Sequence, residues 1–269
     1  MTLKSTIDTI APLGHTIIAL SAPPAASTDT TAWIEHLDFV SGSIEQRPAI
    51  LVVPFSNIEK AEAFADQAAV KTSYRVVAAC YHGAMGQEPE IAAAMAAALA
   101  DSADPALPFN GVNLGGVTAV DPQYQLTFER IERALNKGVA MIQTGADDKP
   151  EIVRAISTFR VNPDSDEDDD LMLDINGALI TDYTRKVVRA DLNKKRRRKN
   201  TAPERRNVRS IVATRLLQLE KAEILENVKD SLDQLIVTQD ENDKYRCNVE
   251  IPTYWVRGMH VVATTLNVY

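Results

Sequence analysis

Apolar residues form two kinds of pattern along the first hundred residues. Three short runs are nearly continuous in apolar residues, as in strands covered on both faces: His15–Leu20, Ala49–Val53 and Tyr74–Cys80. Three longer stretches place apolar or alanine side chains at helical spacing and are predicted helices: Thr30–Val40, Ile58–Ala69 and Pro89–Ala100. Strand and helix alternate three times, which predicts parallel strands joined by right-handed crossovers.

The pattern changes after residue 103. Asp104–Pro122 is rich in Pro, Gly and Asn and is predicted to be irregular. Leu126–Asn136 has helical spacing, and Gly138 is suited to the position that ends this helix. Val139–Gln143 and Glu151–Thr158 predict two antiparallel strands, because the segment between them has the composition of a turn.

Two oppositely charged runs flank a predicted helix of about twenty residues. The acidic run spans Asp164–Asp170, and the basic run spans Lys194–Lys199. Between them is an apolar stripe formed by Leu171, Ile175, Ala178, Leu179, Tyr183, Val187 and Ala190. We expect carboxylates at the start of this helix, and the basic run at its end, to interact favourably with the helix macrodipole. A second helix is predicted over Arg205–Leu225.

The C-terminal segment returns to strand patterns. Leu235–Gln239 and Tyr245–Ile251 predict a hairpin with a polar turn between them. Met259–Tyr269 is β-prone and carries no charge unless His260 is protonated. A long uncharged strand is an aggregation risk when its edge is exposed. We therefore expect this strand to pair within the chain, or with another chain by strand addition.

Together these elements predict an α/β fold in which helices flank a mostly parallel sheet, with an α+β C-terminal part. A chain of 269 residues can form one large domain or two smaller ones. We expect an α/β core domain over residues 1–160 and a C-terminal region over residues 161–269. The C-terminal region would contain two helices, the C-terminal strands and an arm.

The composition, with 45% hydrophobic and 25% charged residues, is ordinary for a globular protein. A formal net charge of −8 argues against a general nucleic-acid-binding protein, which usually has a basic excess. The sequence has neither a secretory signal nor an apolar run of membrane-spanning length, so we expect a cytoplasmic protein that does not bind membranes. Two distant cysteines, Cys80 and Cys247, fit a reducing compartment.

No motif predicts a convincing active site. Cys80 and His82 share a face if both lie in a strand, and we interpret Cys80 as a buried structural cysteine, with a Cys–His nucleophile as the alternative. Gly111–Gly116 is neither a dinucleotide fingerprint nor a phosphate-binding loop. The acidic run lacks the spacing of a calcium loop, and the four histidines lack zinc spacing. We predict no catalytic residue, no cofactor and no metal.

The basic run Lys194–Lys199 permits three interpretations: a solvated loop, a contact between subunits, or a nucleic-acid site. No aromatic residue interrupts it, so it offers no platform on which bases could stack. The chain also carries its own acidic run. A charge-matched contact between neighbouring copies is therefore as open as a purely solvated loop.

Several segments follow one another in an order and spacing that is more specific than any one of them. They are Pro89–Ala94, Leu107–Val112, Leu114–Val117, Phe128–Arg130, Leu135–Val139, Ile152–Thr158, Thr181–Arg189, Val249–Pro252 and Met259–Thr265. In this order they resemble the contractile tail sheath proteins of myophages, closest to the Mu-like sheath group. The resemblance extends from Pro89 to Tyr269.

This resemblance implies a structural virion protein rather than an enzyme, with a subtilisin-like core fold. Sheath subunits form six-fold rings around a tail tube, between a baseplate and a tail terminator. Their contraction repacks subunit interfaces and drives the tube through the host envelope. The resemblance therefore implies self-assembly, production in the bacterial host cytoplasm and a final location in the virion tail, with no nucleic acid as partner. Sheath subunits usually carry further N-terminal domains, so we expect a truncated or naturally short subunit.

We expect the charged runs and the C-terminal segment to supply subunit contacts. The candidate residues are Asp166, Glu167, Asp168, Asp169, Lys194, Lys195, Arg196, Arg197, Arg198, Lys199, Tyr254, Trp255, Val262, Leu266 and Val268. In our hypothesis Tyr245–Tyr269 links neighbouring subunits by strand addition, so that deleting it abolishes polymerisation. The alternatives are an α/β enzyme that uses Cys80 and His82, and a nucleic-acid-binding module that uses Lys194–Lys199.

Overall fold

The chain forms two compact units, each with its own apolar core, in a computed structural model that describes residues 3–260 and 263–266. The first unit comprises the described residues of Met1–Ala103, Leu107–Ala178 and Met259–Tyr269. The second unit comprises Asp104–Ala106 and Leu179–Gly258. Residues that are distant in sequence therefore meet within each unit.

A five-stranded sheet is the centre of the first unit, with the strand order β1-β2-β3-β4-β5. The strands are β1 Ile17–Ala19, β2 Ile50–Phe55, β3 Val76–Tyr81, β4 Val139–Thr144 and β5 Pro150–Ile152. Strands β1 to β4 are parallel, and β5 is antiparallel to β4. Every residue of β2 and β3 is buried, because both faces of the sheet are covered. The predicted α/β fold with a mostly parallel sheet is confirmed.

The helices of this unit are α1 Leu3–Ile10, α2 Ser27–Ser41, α3 Ile58–Ala65, α4 Glu88–Ala100 and α5 Phe128–Asn136. Helix α3 begins where the Asn57 side chain accepts a hydrogen bond from the Lys60 N–H at 2.9 Å. Pro89 lies in the first turn of α4, as predicted. Helix α1 has no counterpart in the prediction, although it buries Ile7 in the core of the unit.

Gly138 follows α5 with a φ of +77°, as predicted for the residue that ends this helix. A Cβ atom there would lie 3.2 Å from both the Cα and the carbonyl oxygen of Thr158. Backbone conformation and close packing therefore both require glycine at this position.

The predicted strand Glu151–Thr158 is correct only at its beginning, because β5 ends at Ile152. Beyond that point the chain leaves the sheet edge. Ile156 forms an isolated bridge with Asp174, and the Thr158 N–H donates to the Val76 carbonyl at the start of β3. Residues 155–158 are buried inside the first unit although they form no strand. Because buried positions favour apolar residues, their sequence resembled that of a strand.

The second unit contains the greater part of α6 Ile175–Asn193, together with α7 Ala202–Lys221, α8 Val228–Ser231 and the hairpin β6 Ile236–Gln239 and β7 Cys247–Glu250. Its core is built from α6, α7 and α8 with neighbouring residues: Ile180, Val188, Val208, Val212, Leu216, Leu219, Ile224, Leu225, Val228 and Leu235 among them. The predicted hairpin is confirmed, with Gln239 opposite Cys247 and Ile236 opposite Glu250.

The third predicted C-terminal strand, Met259–Tyr269, is not formed at Met259, His260 or residues 263–266. Residues 261, 262 and 267–269 lie outside the described part of the chain. Within the described ranges, no helix combines the length and the apolar character that a membrane crossing requires.

Candidate assembly surfaces

The basic run lies between α6 and α7 and is partly neutralised by two carboxylates. The Lys194 Nζ donates to the Asp191 Oδ1 at 2.7 Å. The Lys195 Nζ lies 3.1 Å from the Glu204 Oε1, and the Arg198 Nη1 lies 2.6 Å from the same oxygen. Glu204 is in the first turn of α7, a position that favours an acidic side chain. Half of the basic run is thus held in place by its own unit.

Asp191 connects the basic run to Arg215 in the C-terminal half of α7. Its carboxylate accepts a hydrogen bond from the Arg215 Nε as well as from Lys194. These two hydrogen bonds hold the pKa of Asp191 well below its ordinary value. The hydrogen bond from Arg215 makes the larger contribution. Hydrogen bonds from Lys195 and Arg198 lower the pKa of Glu204 in the same way. Both carboxylates therefore stay charged in mildly acidic solution.

The remaining cations of the run are Arg196, Arg197 and Lys199. All three are exposed, and none has an ion pair within residues 3–260 and 263–266. They belong to a strongly basic segment, residues 185–215, which contains thirteen Lys and Arg residues and two carboxylates. This segment has a net charge of +11 in a chain whose net charge is −8. Counting charge over a window longer than the run would have indicated it from the sequence.

An open groove of about 470 Å³ runs between the basic run and α7. Its charged lining consists of Asp191, Lys194, Lys195, Arg198 and Arg215. The α7 side is mostly polar and adds Asn207, Ser210, Ile211, Thr214 and Gln218. Four cations and one carboxylate therefore line a surface that suits an anionic partner.

The acidic run forms a loop of its own and does not begin α6. An isolated bridge joins Val161 to Asp168, the Asn162 N–H donates to the Glu167 carbonyl at 2.9 Å, and the Asp166 N–H donates to the Asn162 carbonyl at 2.8 Å. Helix α6 starts only at Ile175, and no acidic residue lies in its first turn. The expected interaction of these carboxylates with the helix macrodipole is therefore wrong.

Asp169 explains why the loop keeps its shape. Its carboxylate accepts hydrogen bonds from the Leu171 N–H at 2.7 Å and from the Asn162 Nδ2 at 3.2 Å. Leu171, which the sequence placed in the apolar stripe of the helix, is 52% exposed and precedes α6. Asp169 therefore stabilises the loop that precedes α6.

The other carboxylates of the loop point into solvent. Asp164, Asp166, Glu167, Asp168 and Asp170 are exposed, and no ion pair involves them in the part of the chain that the structure describes. The two charged runs therefore differ. The basic run is partly paired by its own carboxylates, whereas the acidic loop presents its charge without compensation.

The C-terminal candidates fall in different environments. Trp255 is half-buried against the second core and forms a bridge with Leu225. Tyr254, which is 45% exposed, accepts a hydrogen bond from the Glu226 N–H through its carbonyl at 2.8 Å. Leu266 is 94% exposed. Two further candidates, Val262 and Val268, lie outside the described residues.

The hairpin β6–β7 has an open edge. The Asp240 N–H donates to the Arg246 carbonyl at 3.1 Å, one step beyond the Gln239–Cys247 pair. Because hydrogen-bonded and non-hydrogen-bonded pairs alternate in an antiparallel ladder, the N–H groups of Cys247 and Val249 point away from β6. Within the described residues β6 is the only strand that pairs with β7. The outer edge of β7 can therefore accept another strand.

The beginning of the C-terminal segment is tied to the first unit by an unpredicted polar cluster. Arg154 donates two hydrogen bonds to the Asp174 carboxylate, each at 2.9 Å. The His260 Nε2 lies 3.3 Å from the Asp174 Oδ2, and the His260 Nδ1 lies 2.9 Å from the Asn110 Oδ1. These four residues are far apart in sequence and follow no motif, so only the fold could reveal them.

The environment of Cys80 does not support a thiol nucleophile. Cys80 is fully buried in the first core, and burial, followed by the negative charges of Glu59 and Glu62, raises the pKa of its thiol. His82 lies beyond the end of β3 and accepts the Ile58 N–H through its Nδ1 at 3.3 Å. No three His, Cys, Asp or Glu side chains group as metal ligands within residues 3–260 and 263–266.

Known proteins resemble this chain in structure but not detectably in sequence. No family model matches the chain, and no curated protein matches it. The sheath tail protein of Desulfitobacterium hafniense superposes with a TM-score of 0.67 at 13% identity, over 94% of this chain and 56% of that protein. A chain of the contracted helical sheath of the anti-feeding prophage superposes with a TM-score of 0.64 at 18% identity. That match covers 98% of this chain and 73% of the other.

The chain has the fold of contractile tail sheath proteins. A chain from the six-fold symmetrised baseplate of the anti-feeding prophage matches equally, with a TM-score of 0.65 at 18% identity, over 99% of this chain and 72% of that one. The resemblance found in the order of sequence segments is thus confirmed as a likeness of fold. Its assignment to the Mu-like group stays a prediction. This sheath-like chain spans just over half of the Desulfitobacterium protein.

Proposed function

We propose that this chain is a structural subunit of a contractile tail sheath. The observation that carries the proposal is the superposition of nearly the whole chain, 98%, on a subunit of a contracted helical sheath. In this function the subunit polymerises around a tail tube, and contraction drives the tube through the host envelope. Work of this kind comes from repacking many interfaces and requires no hydrolytic site.

A non-enzymatic function agrees with the chemistry of the chain. The one Cys–His pair of the sequence has a thiol that burial keeps protonated and an imidazole that accepts a backbone N–H. Neither group is prepared for nucleophilic catalysis, which needs a lowered thiol pKa and an oriented base. The α/β enzyme alternative therefore has no supporting constellation among the described residues.

The partners proposed for the subunit are further copies of itself in six-fold rings, the tail tube protein, the baseplate and the tail terminator. The likeness to chains of an assembled sheath and of a six-fold symmetrised baseplate supports this set. The proposed location is the virion tail, after synthesis in the bacterial host cytoplasm. Neither nucleic acid nor a membrane is among the proposed partners.

Strand addition is the proposed link between neighbouring subunits. The outer edge of β7 offers the N–H groups of Cys247 and Val249 to an incoming strand, and backbone hydrogen bonds of this kind survive a rigid-body movement of the subunits. Part of Tyr245–Tyr269 has a second task, because Val249, Ile251 and Trp255 pack on the second core. Deleting the whole segment would expose that core, so a substitution at the strand edge tests the link more cleanly.

Deletion of the gene from the phage or prophage that encodes it tests the proposed function. We expect the released particles to carry bare tail tubes without a sheath, as seen by negative-stain electron microscopy. Complementation with the wild-type gene should restore the sheath and rules out an effect on neighbouring genes. Particles with complete contractile sheaths in the absence of the gene would contradict the proposal.

A further inference from the structure

The two charged surfaces of this chain complement each other, and both keep unpaired charge. We propose that the acidic loop Asp164–Asp170 of one copy docks in the basic groove beside α7 of a second copy. Within a sheath this contact would join neighbouring subunits, so its place there rests on the proposed function. The contact itself is a property of two copies of the chain and can be measured without a tail.

The acidic loop is suited to enter a groove. Six of its seven residues are acidic. Its backbone is fixed by the Val161–Asp168 bridge and by the hydrogen bonds of Asn162, so little conformational entropy is lost on docking. The exposed carboxylates of Glu167 and Asp168 have no ion-pair partner in the described part of the chain. Their desolvation on binding is repaid only by an external cation.

Ion pairs within the groove orient its cations before any carboxylate of a partner binds. Asp191 orients Lys194 and Arg215, and Glu204 orients Lys195 and Arg198. Two carboxylates compensate two of these four cations, so an excess of positive charge remains. Arg196 and Arg197 add unpaired guanidinium groups next to the groove, and guanidinium binds carboxylates in a bidentate geometry.

A second copy explains this surface better than a nucleic acid does. The groove lining contains no aromatic side chain on which a base could stack. The chain as a whole is acidic, which repels a polyanion that extends beyond the groove. A compact acidic loop meets only the basic segment. The occupant with this chemistry that is present in every assembly of the protein is the loop of another copy.

Charge reversal in pairs of residues tests this contact. The loop variant is E167K/D168K, and the groove variant is R196E/R197E. Both leave the ion pairs that Asp191 and Glu204 make in the groove intact. The double variant carries all four substitutions. The matched control is E129K/E132K, which reverses two exposed carboxylates on α5 and changes the net charge as much as the loop variant does. Circular dichroism checks that each variant is folded.

Sedimentation velocity at low and high salt measures self-association of the full chain. We expect salt-sensitive association of the wild type and of the control, and at least about tenfold weaker association of each single-surface variant. The double variant should recover association, because both partners of the contact are reversed together. Equal mixtures of the loop and groove variants should associate more strongly than either alone.

Three results would overturn the proposal. The first is a wild type that stays monomeric at low salt, and the second is a folded double variant that does not recover association. The third is fluorescence-polarisation binding of duplex DNA that R196E/R197E abolishes, in a chain that does not self-associate. The proposed sheath function would survive each of these results, since deletion of the gene tests it separately.

Discussion

At the scale of single residues, the partner of a charge decides what the charge does. Asp191, Glu204 and Asp169 look alike in the sequence, as acidic residues near charged runs. The first two orient cations beside α7, and the third fixes the acidic loop. Sequence reasoning identified the runs but could not assign these tasks, because each depends on residues that only the fold brings together.

Asp191→Asn provides a pH-dependent test of this view. The hydrogen bonds from Arg215 and Lys194 lower the pKa of Asp191 in the folded protein. A carboxyl group with a depressed folded pKa contributes stability above its unfolded pKa, which is about 4, and that contribution is lost as the pH falls through the folded pKa. We therefore expect a lower melting temperature than wild type at pH 7, and a difference that shrinks in acid.

Thermal unfolding followed by circular dichroism at neutral and acidic pH measures this difference. Asp164→Asn is the matched control, because Asp164 is an exposed carboxylate without an ion pair in the described part of the chain. Its melting temperature should equal that of the wild type at both pH values. A deficit of Asp191→Asn that is the same at both pH values would show that lost charge is not its cause.

At the scale of elements, the sequence predicted those strands and helices whose burial leaves a periodic pattern of apolar residues. Burial on both faces leaves a continuous apolar run, which predicted β2 and β3. Burial on one face leaves helical spacing, which predicted α5. The beginning of α6 and the end of β5 were missed for the opposite reason. Asp169 hydrogen bonds hold the acidic run in a loop. Residues 155–158 are buried but form no strand, apart from the isolated bridge between Ile156 and Asp174.

A substitution at the outer edge of β7 tests the proposed strand addition. In Val249→Pro the outward N–H is lost while the hydrogen-bonded pairs with β6, Thr238–Asn248 and Ile236–Glu250, keep their donors. We expect the purified variant to fold but to fail to restore sheaths in the gene-deleted phage. The measurement combines circular dichroism of the protein with negative-stain microscopy of the particles.

Val249→Ala is the matched control for this substitution. Val249 is partly buried against the second core, so both variants lose that packing, but only the proline variant loses the N–H. The alanine variant should therefore restore sheaths. Normal sheaths formed by a folded Val249→Pro protein would exclude strand addition at this edge of the hairpin.

At the scale of the whole molecule, the order of segments was more informative than any one segment. Relatives of the fold share only 13% to 18% of their residues with this chain, and no family model recognises it. Burial in a sheet constrains the class of side chain and not its identity, which explains how the fold can persist while the sequence diverges. The surfaces that would carry assembly are less constrained, and their residues could only be proposed.

Immunogold labelling of released particles tests the central claim most directly. Antibodies against this chain would be applied to particles from the induced source strain and viewed by electron microscopy. We predict gold along the whole length of the contractile tails. Tails without gold, with the protein soluble and unassembled in the same lysate, would contradict the proposed function and leave a sheath fold with another use.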